Sequence, residues 1–213
     1  RRVTAESASR VTVGSQVSDV QQRLNFRVEY EPMAGVTLAV PPSVDLQELT
    51  LDGNKVDFVL LPGEGNDFSL ARVVLPAQSQ LGTFQLVAKY RITHDILQGD
   101  RSTLVSIPLL QPQQVDWRDA AVSVEAAGLE VRPYGEQWKP LQSVVPPRGN
   151  NNVVRFVATE AQPSEFAFLA RRAAARTAVQ TVVERAWFST RFTSSGRQDR
   201  LVMRLTSSEP TVR

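Results

Sequence analysis

Apolar and polar residues alternate along most of this chain and helical spacing is scarce, which predicts β structure. Leu24, Phe26, Val28 and Tyr30 face one way, while Arg23, Asn25, Arg27 and Glu29 face the other. "GVTLAVPP" follows and is closed by Pro41 and Pro42, which cannot continue a central strand. Leu49 and Leu51 then precede Asp52-Gly53-Asn54, and Val56, Phe58 and Leu60 resume beyond it. Asp and Gly tolerate positive φ, so this stretch predicts a hairpin. "PGEGND" at 62–67 makes a further turn, and "FQLVAKYRIT" sets Phe84, Leu86, Ala88 and Tyr90 on one face.

"PLLQPQQVDW" at 108–117 carries two Pro and three Gln between strands and is the best linker candidate. Beyond it come "AAVSVEAA", "LEVRPY", a "PPRGNNN" loop, "VVRFVAT" and "EFAFLARR". "TVVERAWFSTRF" and "RQDRLVMRL" flank Ser194-Ser195-Gly196, where Gly supplies a hairpin turn. About fourteen strands with turns every 8–12 residues predict an all-β chain of antiparallel sandwiches. With the linker as boundary, two sandwich-like subdomains are expected, over 1–110 and 111–213. One segment competes: Ser164 before Glu165, and the Ala and Arg that follow, also suit a helical turn around 169–180.

Two distant strands resemble each other. "QQRLNFRV" at 21–28 and "QDRLVMRL" at 198–205 align at an offset of 177, with Gln21, Arg23, Leu24 and Arg27 on Gln198, Arg200, Leu201 and Arg204. Alternation alone makes apolar residues coincide at such an offset, so shared strand character also explains the match. As a true repeat, residues 1–31 and about 178–210 are the same element of consecutive units. Each strand is then expected to put Leu and Phe or Met inward and Arg outward, at matching places in its sheet.

Length and composition suit a globular chain: 213 residues, 42% apolar and 22% charged, can bury a core unaided. Twenty-one of the 24 basic residues are Arg, which reads as a bias of genome composition. The net charge of +2 is too small to imply nucleic acid, yet residues 171–213 hold nine Arg against Glu184, Asp199 and Glu209. Such an excess either faces solvent or meets an anionic polymer, lipid headgroups or an acidic neighbour. Cysteine is absent, which removes disulfides, thiolate metal sites and Cys nucleophiles and leaves the compartment open. No stretch approaches 18 uninterrupted apolar residues, so no membrane-spanning segment is expected in this chain. The opening "RRVTAES" reads as part of something longer.

Candidate chemistry is thin. His94 is the single histidine, with Asp95 beside it, and a strand-end His is ordinarily a surface or capping residue. "LDGNKVD" lacks the calcium-loop pattern, and "PGEGND" has neither the Lys nor the helix of a phosphate cradle. Nothing marks Glu64, Asp67 or Glu136 as paired catalytic carboxylates. No cofactor and no enzyme activity are expected. Aromatic residues offer the remaining candidates, because sandwiches bind carbohydrate through exposed rings. Tyr134 and Trp138 in "RPYGEQWKP" sit near Gly135 and Pro140, where a loop or strand edge presents them; alternatively Trp138 plugs the core. Trp117 follows the linker and is placed to staple two subdomains. Trp187 alternates with Arg185, Ser189 and Arg191, an arrangement suited to cation–π contact or a partner surface.

"VVERAWFSTRF…GRQDRLVMRLTSSEP", with "LTLDGNKVDF" and "GTFQLVAKYRI", resembles uncharacterised β-rich regions of large, membrane-anchored envelope proteins of planctomycete-type bacteria. The resemblance implies a place outside the cytoplasm, in the periplasm or cell envelope. It also implies a non-catalytic structural or interaction role toward neighbouring domains of the same polypeptide or other envelope proteins. The alternative is a glycan-binding module that takes polysaccharide on Tyr134, Trp138, Trp187 and Arg191.

Overall fold

A computed structural model describes residues 1–14, 16–63, 68–94, 102–141, 151–159, 163–172, 181–194 and 196–207. Strands dominate: β1 (Arg2–Val13), β2 (Val17–Glu29), β3 (Gly35–Val40), β4 (Val44–Leu51), β5 (Asn54–Val56), β6 (Val59–Pro62), β7 (Ser69–Val74) and β8 (Gly82–Thr93) come first. They are followed by β9 (Thr103–Pro108), β10 (Gln111–Pro112), β11 (Asp116–Ala127), β12 (Leu129–Pro133), β13 (Trp138–Leu141), β14 (Asn151–Ala158), β15 (Glu165–Arg172), β16 (Thr181–Thr193) and β17 (Gly196–Ser207). Among the described residues there is no α-helix, only one 3-10 turn at Ala77–Ser79. The all-β expectation holds, in a sandwich-like arrangement of mostly antiparallel sheets. Of the competing helical turn at 169–180, residues up to Arg172 are strand and the rest lie outside the described residues.

Two compact units divide the chain, Arg1–Arg172 and Ala173–Arg213. In the first, an eight-stranded sheet runs β13-β14-β11-β1-β2-β8-β4-β5. A four-stranded sheet, β10-β3-β7-β6, and a three-stranded sheet, β12-β15-β9, complete the layers. Leu24, Phe26, Phe84, Leu86 and Tyr90 from the large sheet share one core with Val36, Leu38 and Val73 of the second and Ile107, Phe166 and Phe168 of the third. Alternation explains this: period-2 strands lay every second side chain on the core face. Phe26 and Phe84 stack across β2 and β8 with centroids 4.9 Å apart. Tyr30, aligned by alternation with Phe26 and Val28, instead leaves the sheet at φ +74 and is exposed. Asp52 and Gly53, at φ +49 and +86, form the turn the sequence predicts between β4 and β5. Gly35 has a different reason: a Cβ there would stand 2.7 Å from the Val73 carbonyl oxygen across the β3–β7 pair.

The subdomain boundary read at 110/111 has no counterpart in the sheets. β1 pairs in parallel with β11, so the large sheet runs straight across that position. The supposed linker is core. Leu109 and Leu110 are buried, and the Gln22 side chain grips Leu110 at both ends: Leu110 N donates to Gln22 Oε1 at 2.8 Å, and Gln22 Nε2 donates to the Leu110 carbonyl at 3.1 Å. Gln22 Nε2 also reaches Ser7 Oγ, and Tyr90 OH donates to Gln22 Oε1 and to the Pro108 carbonyl. A buried amide is tolerated only when satisfied, and this one secures the chain that crosses from β9 to β10. Burial drives the Tyr90 phenol far above its usual range. Trp117, buried in β11 opposite Ala5, belongs to the same single core rather than to a junction of two.

Candidate docking site

The second unit is a hairpin. β16 and β17 pair antiparallel from Thr193↔Gly196 at the turn to Thr181↔Ser207, with a bulge at Glu184, and no other strand pairs with them among the described residues. Opposed residues share a face. Ala186, Phe188, Thr190 and Phe192 therefore stand with Met203, Leu201, Asp199 and Arg197 on one side. Arg185, Trp187, Ser189 and Arg191 stand with Arg204, Val202, Arg200 and Gln198 on the other. The hairpin thus carries an apolar face and a face of four Arg around Trp187 and Val202. Arg204 is paired with Glu184 at 3.1 Å, and Arg197 with Asp199 at 3.0 Å.

The apolar face is uncovered: Phe188 is 63% exposed, Leu201 57% and Met203 51%. The sequence reading put Leu201 and Met203 inward, like Leu24 and Phe26; Leu24 and Phe26 are buried and their counterparts are not. Alternation specifies a face, not whether a second layer covers it. A lone two-stranded hairpin is marginal in water, and covering a large apolar side chain is worth about 1.5–3 kcal/mol at full burial. Both facts make β16–β17 a candidate docking element.

The four sequence candidates fall in different places. Trp138 is 3% exposed; its Nε1 donates to the Glu165 carbonyl at 3.0 Å, and its ring meets Phe166 edge-on at 5.1 Å. It plugs the core, and as a ligand-binding ring it is corrected: a satisfied indole under a sheet has no face to offer. Tyr134 leaves β12 into a turn at Gly135, φ +81, and is 54% exposed, so these two rings share no exposed surface. Trp187 and Arg191 do share a face of the hairpin, with Trp187 51% exposed and Ser189 between them. His94 Nε2 lies 2.7 Å from Ser18 Oγ, while Asp95, Glu64 and Asp67, which the sequence did not mark for catalysis, lie outside the described residues. The outward face of the large sheet is a lattice of exposed ion pairs, Arg91–Asp19, Lys89–Glu48 and Arg10–Glu125, and Lys89 holds the Glu48 carboxyl below its usual range.

No family model and no curated protein matches this sequence. Solved structures do. An M1 zinc metallopeptidase from Deinococcus radiodurans superposes with a TM-score of 0.51 at 14% identity, over 96% of this chain and 47% of that one. Native leukotriene A4 hydrolase from Saccharomyces cerevisiae gives 0.52 at 15% identity, over 80% of this chain and 29% of that one. The chain thus spans less than half of either protein, and at such identities the likeness shows the fold alone. The sequence has one His and no Cys, and among the described residues no three His, Cys, Asp or Glu are grouped to hold a metal. No helix among the described residues is long and apolar enough to cross a membrane.

Proposed function

We propose that this chain is a non-catalytic structural and interaction module of a larger extracytoplasmic protein, and that it docks through β16–β17. The exposed apolar face of Phe188, Leu201 and Met203 carries the reading. The resemblance of "VVERAWFSTRF" and its neighbours to envelope proteins supports the compartment. The test is a photocrosslinking amino acid at position 201 of the protein at its natural level in its own cells, with position 72 on β7, exposed in the first unit, as control. The reading expects a discrete adduct from position 201 and none from 72; no adduct from 201 would refute it.

Trp187 on its Arg-rich face supports a second reading, a glycan-binding module. A polysaccharide array distinguishes the two. Retention that disappears in Trp187→Ala favours glycan binding, and an array without signal removes it.

A further inference from the structure

We infer that β16–β17 is a second copy of the β1–β2 hairpin, and that its partner is a β unit of the same kind lacking its own first hairpin. This inference rests on the docking reading and goes further by naming the partner. The two hairpins have strands of 12 and 13 residues and of 13 and 12. Beyond the sequence match of 198–205 to 21–28, a cross-strand partner coincides at the Phe26 position. Phe26 faces Ala5 and Met203 faces Ala186, so the aligned residue stands opposite Ala in both, whereas Leu24 faces Ser7 and Leu201 faces Phe188. Four residues separate Val13 from its partner Ser18 and two separate Thr193 from Gly196, an even difference that keeps the faces in phase. Alternation alone requires neither the Ala at that place nor Arg at both 200 and 204, matching Arg23 and Arg27.

The first hairpin has a strand along each of its edges. β11 lies parallel along β1, β8 lies antiparallel along β2, and the other sheets cover Leu24 and Phe26. Along β16 and β17 no such strands pair among the described residues. A partner offering an edge like β11, an edge like β8 and an apolar second layer therefore fits, while the Arg face stays in solvent as Arg23 and Arg27 do. The equivalence stops toward the turn, where Gln22 and Val20 are replaced by Asp199 and Arg197. Docking is expected to engage 200–207 and leave 196–199 open.

The experiment extends the chain after Pro210 with a second copy of residues 33–172, because Glu209-Pro210 matches Glu31-Pro32, one position out of step with the 177 offset. Amide exchange is read on β17. The expected result is slowing by a hundredfold or more over 200–206 relative to the unextended chain, abolished by Leu201→Asp with Met203→Asp while the first unit stays protected. A companion chain carrying residues 1–172 after Pro210 shows whether a unit folds at that junction. If the companion's second unit folds and the 33–172 extension leaves β17 unprotected, or if protection survives the Asp substitutions, the inference is overturned. Crosslinks from position 201 without protection in the extended chain would leave the docking reading standing and assign it a partner of another kind.

Discussion

Gln22→Leu tests whether the segment at 108–110 is held by a buried amide. The substitution keeps approximate volume but removes the acceptor of the Leu110 N–H, 2.8 Å away, and the donor to its carbonyl, 3.1 Å away. Each buried backbone group left without a partner costs about 1–3 kcal/mol, so a loss of roughly 4 kcal/mol is expected. At about 2–4 °C per kcal/mol for a unit of this size, Tm falls by roughly 10 °C. Tyr90→Phe strips only the donor to the Pro108 carbonyl and one of two bonds to Gln22 Oε1, at about 1–2 kcal/mol. Because the two side chains share a bond, the double substitution is expected to cost less than the sum, by about 0.5–1 kcal/mol. Calorimetry gives the totals, and amide exchange at Leu110 gives the place: it should accelerate in Gln22→Leu more than any other core amide. A Tm drop under 2 °C, or an unchanged Leu110 amide, would refute the clamp.

Trp138→Ala is expected to destabilise the first unit by about 3–5 kcal/mol, as large-to-small core changes do, measured by urea unfolding. Leu201→Asp with Met203→Asp should leave the first unit's Tm within 1–2 °C of the parent, since those side chains are exposed and belong to the other unit. Tyr90 gives a pH dependence: with its folded pKa raised, its contribution is complete below the unfolded value near 10 and declines as pH climbs above it. Its phenolate absorbance should therefore rise only with the loss of near-ultraviolet circular dichroism, and Tyr90→Phe should remove that step. Gly35→Ala should destabilise by 1 kcal/mol or more on thermal denaturation, because its Cβ meets a backbone oxygen that cannot move aside.

Where local pattern decides structure, the sequence was readable. Alternation picked the buried face of β2 and β8 residue by residue, and Asp52-Gly53 announced its turn because those residues accept positive φ. Non-local pairing was not readable. Nothing in "PLLQPQQVDW" signals that Gln22, 88 positions away, would hold it in the core, so Pro and Gln read as a linker. The parallel β1–β11 pair, which carries the large sheet across the supposed boundary, is likewise invisible to alternation, which does not name a partner strand. Of the candidate site, the sequence offered Trp187 and Arg191 on one face and the Arg pattern of β17. It could not show that Phe188, Leu201 and Met203 would stand uncovered, since a covered and an uncovered apolar face have the same alternation.

A register-specific disulfide tests the central claim most directly, and a chain without cysteine supplies a clean background. In the first unit Asn25 of β2 opposes Gln85 of β8, their side chains bonded at 2.9 Å. The position equivalent to Asn25 in β17 is Val202. In the chain extended with residues 33–172, Val202→Cys and Gln85→Cys of the added segment should oxidise to a single crosslink, whereas Val202→Cys with Lys89→Cys should not, because adjacent strands admit a disulfide only between near-opposed residues. Crosslinking at both positions alike, or at neither, would contradict the claim that β16–β17 is the first hairpin of a second unit.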